Sequence, residues 1–180
     1  MRTPEFKVFT GPMFGGKTTR LLSSIERYKY QKKKVVLFKP AIDGRYAKEK
    51  VVTHTGQELD SIAISSGDEI LKSIAGVDVV AVDELFMILG GGEALIKAFM
   101  AGKDVIVSSL QLSSVPKVFK EVKDILPYAT SIEVCPAVCS KCDRDAFYTY
   151  RLTSDTSEVS IGGAESYEPR CFYHYNFEND

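Results

Sequence analysis

The chain has 180 residues, 44% of them hydrophobic and 26% charged, enough for one domain with a hydrophobic core, with or without a small appendage, and too few for two full domains. Its 23 Lys and Arg are balanced by 24 Asp and Glu, so there is no electrostatic footprint for duplex DNA, RNA or an anionic membrane, and a nucleic-acid partner is disfavoured. No stretch reaches the roughly 18 apolar residues that span a bilayer, and the opening "MRTPEFKVFTG" lacks the apolar core of a secretion signal, so a cytoplasmic protein is expected. In a reducing compartment the four cysteines do not pair as disulfides, and metal binding or burial must account for them.

In chain order, "FKVFTG" predicts a short strand ending in glycine, "GPMFGGKTT" a loop, and "LLSSIERYKYQKKK" a helix with Leu21, Leu22, Ile25 and Tyr28 on one face. The polar, interrupted segment 41–57 reads as a long loop or an excursion of short strands. "KVVLFKP", "VDVVAVDE" and "KDVIVSSL" are continuous Val, Ile and Leu runs of strand length, each separated by enough chain for a crossover helix. Runs apolar on both faces predict a parallel sheet covered by helices on each side, an α/β fold. The crossover helices are placed at 67–75, opened by Asp68, and at 93–101, with Gly102 as the carboxy-terminal cap. From about Ile132 aromatics, cysteines and turn residues replace the alternation, so the boundary is placed near Glu133: residues 1–133 form the α/β domain and residues 134–180 a compact appendage.

Gly11, Gly16, Lys17 and Thr18 satisfy G-x-x-x-x-G-K-[ST], with Pro12, Met13, Phe14 and Gly15 between the two glycines. A strand before the motif and a helix after it supply the required context. Glycines let successive N–H groups converge on the phosphates of a nucleotide, and the helix amino terminus adds favourable dipole charge. Lys17 would bridge the β and γ phosphates, and the Thr18 hydroxyl would ligate Mg²⁺. The alternative is an ordinary glycine turn before a helix. On a neighbouring strand, "VDVVAVDE" ends in Asp83, suited to hold the Mg²⁺ water shell, and Glu84, suited to reach a nucleophile. Acidic residues after a strand also serve simply as solvated helix caps.

Cys139 and Cys142 form C-x-x-C, Cys171 and His174 form C-x-x-H, and 28 residues separate the pairs. Two such knuckles offer the four soft ligands of a closed, structural zinc site, which would staple a segment too small to bury its own core. Buried free thiols with a chance histidine, or a C-x-x-C redox pair, are the competing explanations. Cys135 is left over and reads as a core residue.

With these residues in view, the sequence resembles the type II thymidine kinase family. The matching segments are "GPMFGGKTT", "FKPAIDGRY", "VVTHTGQ", "VDE", "AVCSKC", "YTYRL" and "IGGAESYEPRC", in the family order over nearly the whole chain. The resemblance implies a P-loop α/β domain, a zinc-bound lobe whose flexible lasso closes over a nucleoside, Mg²⁺-ATP as donor, thymidine as the foremost acceptor, and a homotetramer. Carried over by position, Glu84 is the general base that takes the proton of the deoxyribose 5′-hydroxyl. Such transfer needs mostly alignment and charge neutralisation. Arg45 matches an arginine near the phosphates, though an exposed arginine in a polar loop is an equal alternative. Met13, Met87, Leu110 and Phe119 are implied around an apolar slot for the base, with Tyr167 against its ring. Glu158, Val159, Ser160, Ile161, Gly162 and Gly163 are implied as the lasso backbone that reads the pyrimidine edge. Met87 and Leu110 could equally be ordinary core.

The chain departs from the family pattern in its pocket. Phe86 stands where glutamine is usual after the acidic pair, Gln111 and Ser114 stand where an aspartate and a phenylalanine are usual, and the run Gly90, Gly91, Gly92 is expected to loosen the start of the next helix. Two further expectations compete with a kinase: a P-loop ATPase whose zinc lobe binds nucleic acid or protein, and a catalytically altered member that binds nucleotide.

Overall fold

The computed structural model describes residues 3–41, 50–52, 58–154 and 162–177. In chain order the strands are β1 (Phe6–Thr10), β2 (Val35–Pro40), β3 (Lys50–Val52), β4 (Glu58–Asp60), β5 (Ile62–Ile64), β6 (Val79–Val82), β7 (Asp104–Ser109), β8 (Ser131–Val134), β9 (Ala137–Val138), β10 (Asp145–Ala146), β11 (Tyr148–Arg151) and β12 (Tyr167–Arg170). The helices are α1 (Lys17–Tyr30), α2 (Gly67–Ser73), α3 (Gly91–Met100) and α4 (Lys120–Ile125), with short 3-10 turns at Leu85–Met87 and Leu126–Tyr128.

The continuous apolar runs pair as a six-stranded sheet of order β5-β2-β6-β7-β1-β8, parallel throughout. Every residue of β6 and β7 is buried, as expected of strands covered on both faces. Successive side chains alternate between the faces. Phe9, Leu37, Ala81 and Ile106 pack under Leu21, Leu22, Ile25 and Tyr28 of α1. Val8, Phe38, Val80, Val82 and Val107 pack under Ile70 of α2, Leu95 of α3 and Ile125 of α4. The predicted α/β fold and the predicted apolar stripe of α1 are both present. Among the described residues no helix is long and apolar enough to cross a membrane.

Two local expectations are corrected. Helix α2 begins one residue after Ser66 and is not opened by Asp68; the Glu69 carboxylate accepts hydrogen bonds from the backbone N–H of Ser65 and Ser66, at 2.8 and 3.2 Å, in a capping box. The glycine run does not loosen α3. Gly90 takes φ +72° at its N-cap, and the buried Glu121 carboxylate on α4 accepts from Gly90 N at 3.0 Å and Gly92 N at 2.7 Å. A Cβ on Gly92 would stand 2.8 Å from the Glu121 carbonyl oxygen, so glycine here permits close helix packing. At the boundary placed near Glu133, β8 runs to Val134 as the outer parallel partner of β1.

Beyond β8 the chain forms two small antiparallel pairs, β9 with β10 and β11 with β12. In segment 41–57 the described part is β3, which pairs antiparallel with β4.

Candidate active site at the carboxyl ends of β1, β6 and β7

The loop leaves β1 at Thr10, passes Gly11 at φ +138°, Phe14 at φ +67° and Gly16 at φ +75°, and enters α1 at Lys17. It runs over the backbone of Cys135 so closely that a Cβ on Gly11 or Gly15 would lie 2.3 Å from the Cys135 carbonyl oxygen. Both positions therefore require glycine on packing grounds. Lys17 is buried and folds back over the loop, its Nζ donating to the Pro12 carbonyl at 2.6 Å. Left-handed turns that aim consecutive N–H groups inward, followed by a helix start, form an anion nest.

Asp83 follows β6 directly and meets this loop. Thr18 Oγ1 lies 3.2 Å from both of its carboxylate oxygens, Ser108 Oγ on β7 donates to Oδ1, and the Glu84 backbone N–H donates to the same oxygen at 3.1 Å. Burial pushes the Asp83 carboxyl above the usual carboxylate range; the Ser108 and Thr18 hydroxyls, the Lys17 charge and the Glu84 N–H oppose that shift without cancelling it. A carboxylate and a hydroxyl beside a phosphate nest are hard oxygen donors, the chemistry Mg²⁺ prefers.

Glu84 is half-buried and occupies the left-handed region at φ +52°, ψ +47°, opening the 3-10 turn Leu85–Met87. A glutamate held there is uncommon, and such conformations gather at functional sites. The turn is tied to β7 through Phe86 N, which donates to Ser109 Oγ at 3.1 Å. Across the ladder Ser109 pairs with Thr10, the last residue before the phosphate loop.

Next to this turn lies an apolar cluster of Leu110, Phe119 and Val122, against which Met13, Phe86 and Leu126 pack. Three of the residues expected around a base, Met13, Leu110 and Phe119, are thus brought together. Met87 sits half-buried on the same turn but outside that cluster. Phe86, absent from the expected lining, joins it, its ring 4.6 Å from that of Phe119. Tyr167 is buried on β12 with the Arg151 guanidinium 5.4 Å over its ring, and Gly162 approaches it so that an added Cβ would lie 3.3 Å from its Cε2. Gly163 turns the chain into β12, its carbonyl accepting from Ser166 N and Tyr167 N at 3.0 Å. Arg45, Glu158, Val159, Ser160 and Ile161 lie outside the described residues.

Cys139, Cys142, Cys171 and His174 converge, their ligand atoms all within 4.8 Å of one another. Cys142 Sγ is 3.8 Å from Cys171 Sγ, Cys139 Sγ is 3.6 Å from His174 Nδ1, and Cys171 Sγ is 3.3 Å from the same nitrogen. Tetrahedral bonds of about 2.3 Å to sulfur and about 2.0 Å to nitrogen put such ligands roughly 3.5–3.8 Å apart, so the set fits zinc. Burial raises the Cys139 thiol, but N–H groups of Cys171 and Lys141 and the His174 and Cys171 side chains outweigh it and bring the thiol down to about 6. A thiol so poised becomes a thiolate ligand readily.

Sequence reasoning missed residues that join these parts. Thr149 Oγ1 on β11 accepts from Met13 N of the phosphate loop at 3.0 Å. Tyr175 donates its hydroxyl to the Ser114 carbonyl at 2.8 Å. Ser108 and Ser109 meet Asp83 and Phe86. The only signal for the serine pair was its place at the end of an apolar run; nothing in the sequence marked the other two.

The acidic pair follows β6, which β7 separates from β1, rather than an immediate neighbour of β1. A parallel sheet with a phosphate loop after β1 and such a pair one strand removed defines the P-loop class of nucleotide-binding enzymes. The profile of the family described as thymidine kinase matches residues 5–175. A thymidine kinase of Thermococcus kodakarensis is 37% identical over 182 residues, a match covering 94% of this chain and 92% of that protein. The chain belongs to the thymidine kinase family and is a kinase.

Proposed function

We propose that the chain transfers the γ-phosphoryl group of ATP to the 5′-hydroxyl of a deoxynucleoside, with thymidine as the principal acceptor and dTMP, a DNA precursor, as product. The observation that carries this reading is the division of labour between adjacent acids: Asp83 is engaged by Thr18 on the phosphate-loop side, while Glu84 leaves the strand toward the turn beside the apolar cluster. One acid thereby sits against the phosphate-loop helix, and the next opens the turn that borders the slot proposed for the acceptor.

In this reading the backbone of Gly11, Pro12, Met13, Phe14, Gly15 and Gly16 cradles the phosphates, and Lys17 exchanges the Pro12 carbonyl for phosphate oxygens. Thr18 and Asp83 hold Mg²⁺, which when bound neutralises charge on the phosphates of ATP. Glu84 accepts the proton of the attacking hydroxyl. Met13, Leu110 and Phe119 flank the base, with Met87 at the margin and Tyr167 closing the far side. Residues 158–163 supply the covering segment and Arg45 a charge near the transferring group. Cys139, Cys142, Cys171 and His174 hold a structural zinc in a lobe running from 134 to 180, distinct from the nucleotide-binding part at 1–133. A cytoplasmic homotetramer completes the reading on family resemblance.

ADP release measured across a nucleoside panel tests it. The expected result is strong stimulation by thymidine or deoxyuridine; release at the basal rate with every nucleoside would overturn the assignment.

A further inference from the structure

Phe14 occupies one of the phosphate-loop positions that the motif leaves open. Its backbone lies at φ +67°, in the left-handed region where glycine sits freely and a bulky side chain is strained. The loop places glycine at the next two positions, yet keeps an aromatic ring here at a conformational cost that surrounding structure must offset. The offset is visible in the packing. Phe14 packs against the small cluster of Ala137, Cys139, Ala146 and Cys171, and Cys142 packs against the same cluster. Two of the four candidate zinc ligands, Cys139 and Cys171, therefore belong to the seat of a phosphate-loop side chain, and a third, Cys142, packs on the same cluster. The neighbouring residues are also closely engaged: Met13 N donates to the buried Thr149 hydroxyl, and Gly11 and Gly15 pass so near the Cys135 carbonyl that neither could carry a Cβ.

We propose that the Phe14 ring couples the Cys/His knuckle to the phosphate loop, so that zinc and Mg²⁺-ATP each bind more tightly when the other is present. The inference rests on the zinc and nucleotide readings given above. With zinc bound, Cys139 and Cys171 would be held in fixed positions, and the seat of the ring with them. Phosphates fix the N–H groups on either side of Phe14 and so fix the ring from its backbone. Both ligands select one placement of the same side chain, and linkage makes the effect reciprocal. Phe14 is a positioning residue in this account, since its ring touches neither the phosphates nor the metal.

The test uses the full chain purified with its zinc. Zinc release into excess 4-(2-pyridylazo)resorcinol is timed with and without saturating Mg²⁺-ATP, and ATP affinity is measured by calorimetry without nucleoside. In the wild-type protein Mg²⁺-ATP is expected to slow release about fivefold, the low end of ordinary site-to-site coupling. Phe14→Gly, which removes ring and strain together, should still take up zinc, bind ATP roughly tenfold more weakly and lose the nucleotide effect on release. Phe14→Leu should fall between, and it serves if the glycine variant fails to fold. Chelation of zinc by ATP itself would speed release, opposite to the expected slowing, and it is common to the nucleotide-containing samples of wild type and variants, so it cancels between them. Release from the wild-type protein that ignores Mg²⁺-ATP, or ATP affinity in Phe14→Gly equal to or tighter than wild type, overturns the coupling and leaves the kinase and zinc readings standing. Protein that lacks zinc as isolated overturns the metal reading and the coupling with it, whereas zinc-loaded protein that fails to bind ATP overturns the nucleotide reading.

Discussion

Thr18 Oγ1 lies 3.2 Å from each carboxylate oxygen of Asp83, joining the first turn of α1 to the end of β6. The contact sets the spacing between the phosphate loop and the acidic pair, and it gathers a hydroxyl and a buried carboxylate where a hard cation would sit.

Proton linkage at Asp83 follows from its burial. Its folded pKa is raised above 3.8, chiefly by desolvation. The fold thus favours the protonated acid: its contribution to stability grows as pH falls from the folded value toward 3.8, and above the folded value the buried carboxylate is a cost. Mg²⁺ requires the carboxylate. Binding of Mg²⁺-ATP should therefore expel a proton from Asp83 increasingly as pH is lowered from neutrality toward 3.8. Calorimetric titrations in buffers of different ionisation enthalpy should report this release, and Asp83→Asn should abolish it while weakening Mg²⁺-ATP binding.

Glu84→Gln keeps the shape of the side chain and removes its basicity. General-base contributions are typically 10²–10⁴-fold, so kcat should fall by about that factor with ATP affinity retained. Single-turnover phosphoryl transfer alongside equilibrium ATP binding separates the two effects.

The Phe86 ring, on the turn that follows the acidic pair, meets that of Phe119 with centroids 4.6 Å apart and planes tilted by 37°. An aromatic face against a base is worth about 1–3 kcal/mol. Phe86→Gln should then raise KM for thymidine roughly tenfold and leave KM for ATP near its original value. Initial-rate kinetics with each substrate varied in turn would check this.

His174→Ala removes one ligand of the four-residue knuckle. The wild-type chain should carry about one zinc, and the variant should lose it, together with protease resistance across 134–154 and 162–177. Metal analysis by mass spectrometry and limited proteolysis read these outcomes independently of activity.

Gly67→Ala tests packing far from the chemistry. An added Cβ would lie 2.1 Å from the Gly90 carbonyl oxygen, a backbone atom with nowhere to go. Overpacking of this kind costs about 1–3 kcal/mol, or roughly 2–12 °C in Tm for a chain of this size. Thermal unfolding would measure it.

Continuous Val and Ile runs made the parallel sheet readable because burial on both faces leaves a signature within each strand. The stripe of Leu21, Leu22, Ile25 and Tyr28 did the same for α1, and motif spacing located Lys17, Thr18, Asp83 and the Cys/His knuckle. What stayed hidden depends on contacts distant in sequence. Glu121 caps a helix that begins 30 residues earlier, and Thr149 holds an amide 136 residues away. The boundary placed near Glu133 falls within β8, an edge strand with exposed Ile132 and Val134, whose pattern resembles that of the lobe beyond it. Phe86 was noticed only as a departure from the family; that its ring joins Phe119 is a matter of tertiary packing.

The central claim is that Glu84, following Asp83 out of β6, delivers a sugar hydroxyl to the terminal phosphoryl of ATP. Mass-spectrometric identification of products after incubation with Mg²⁺-ATP and a mixed nucleoside pool tests it most directly. The account predicts ADP and thymidine 5′-monophosphate in equal amounts, with Glu84→Gln producing neither above background. ADP without any phosphorylated nucleoside, or phosphorylation at full rate by Glu84→Gln, would contradict it.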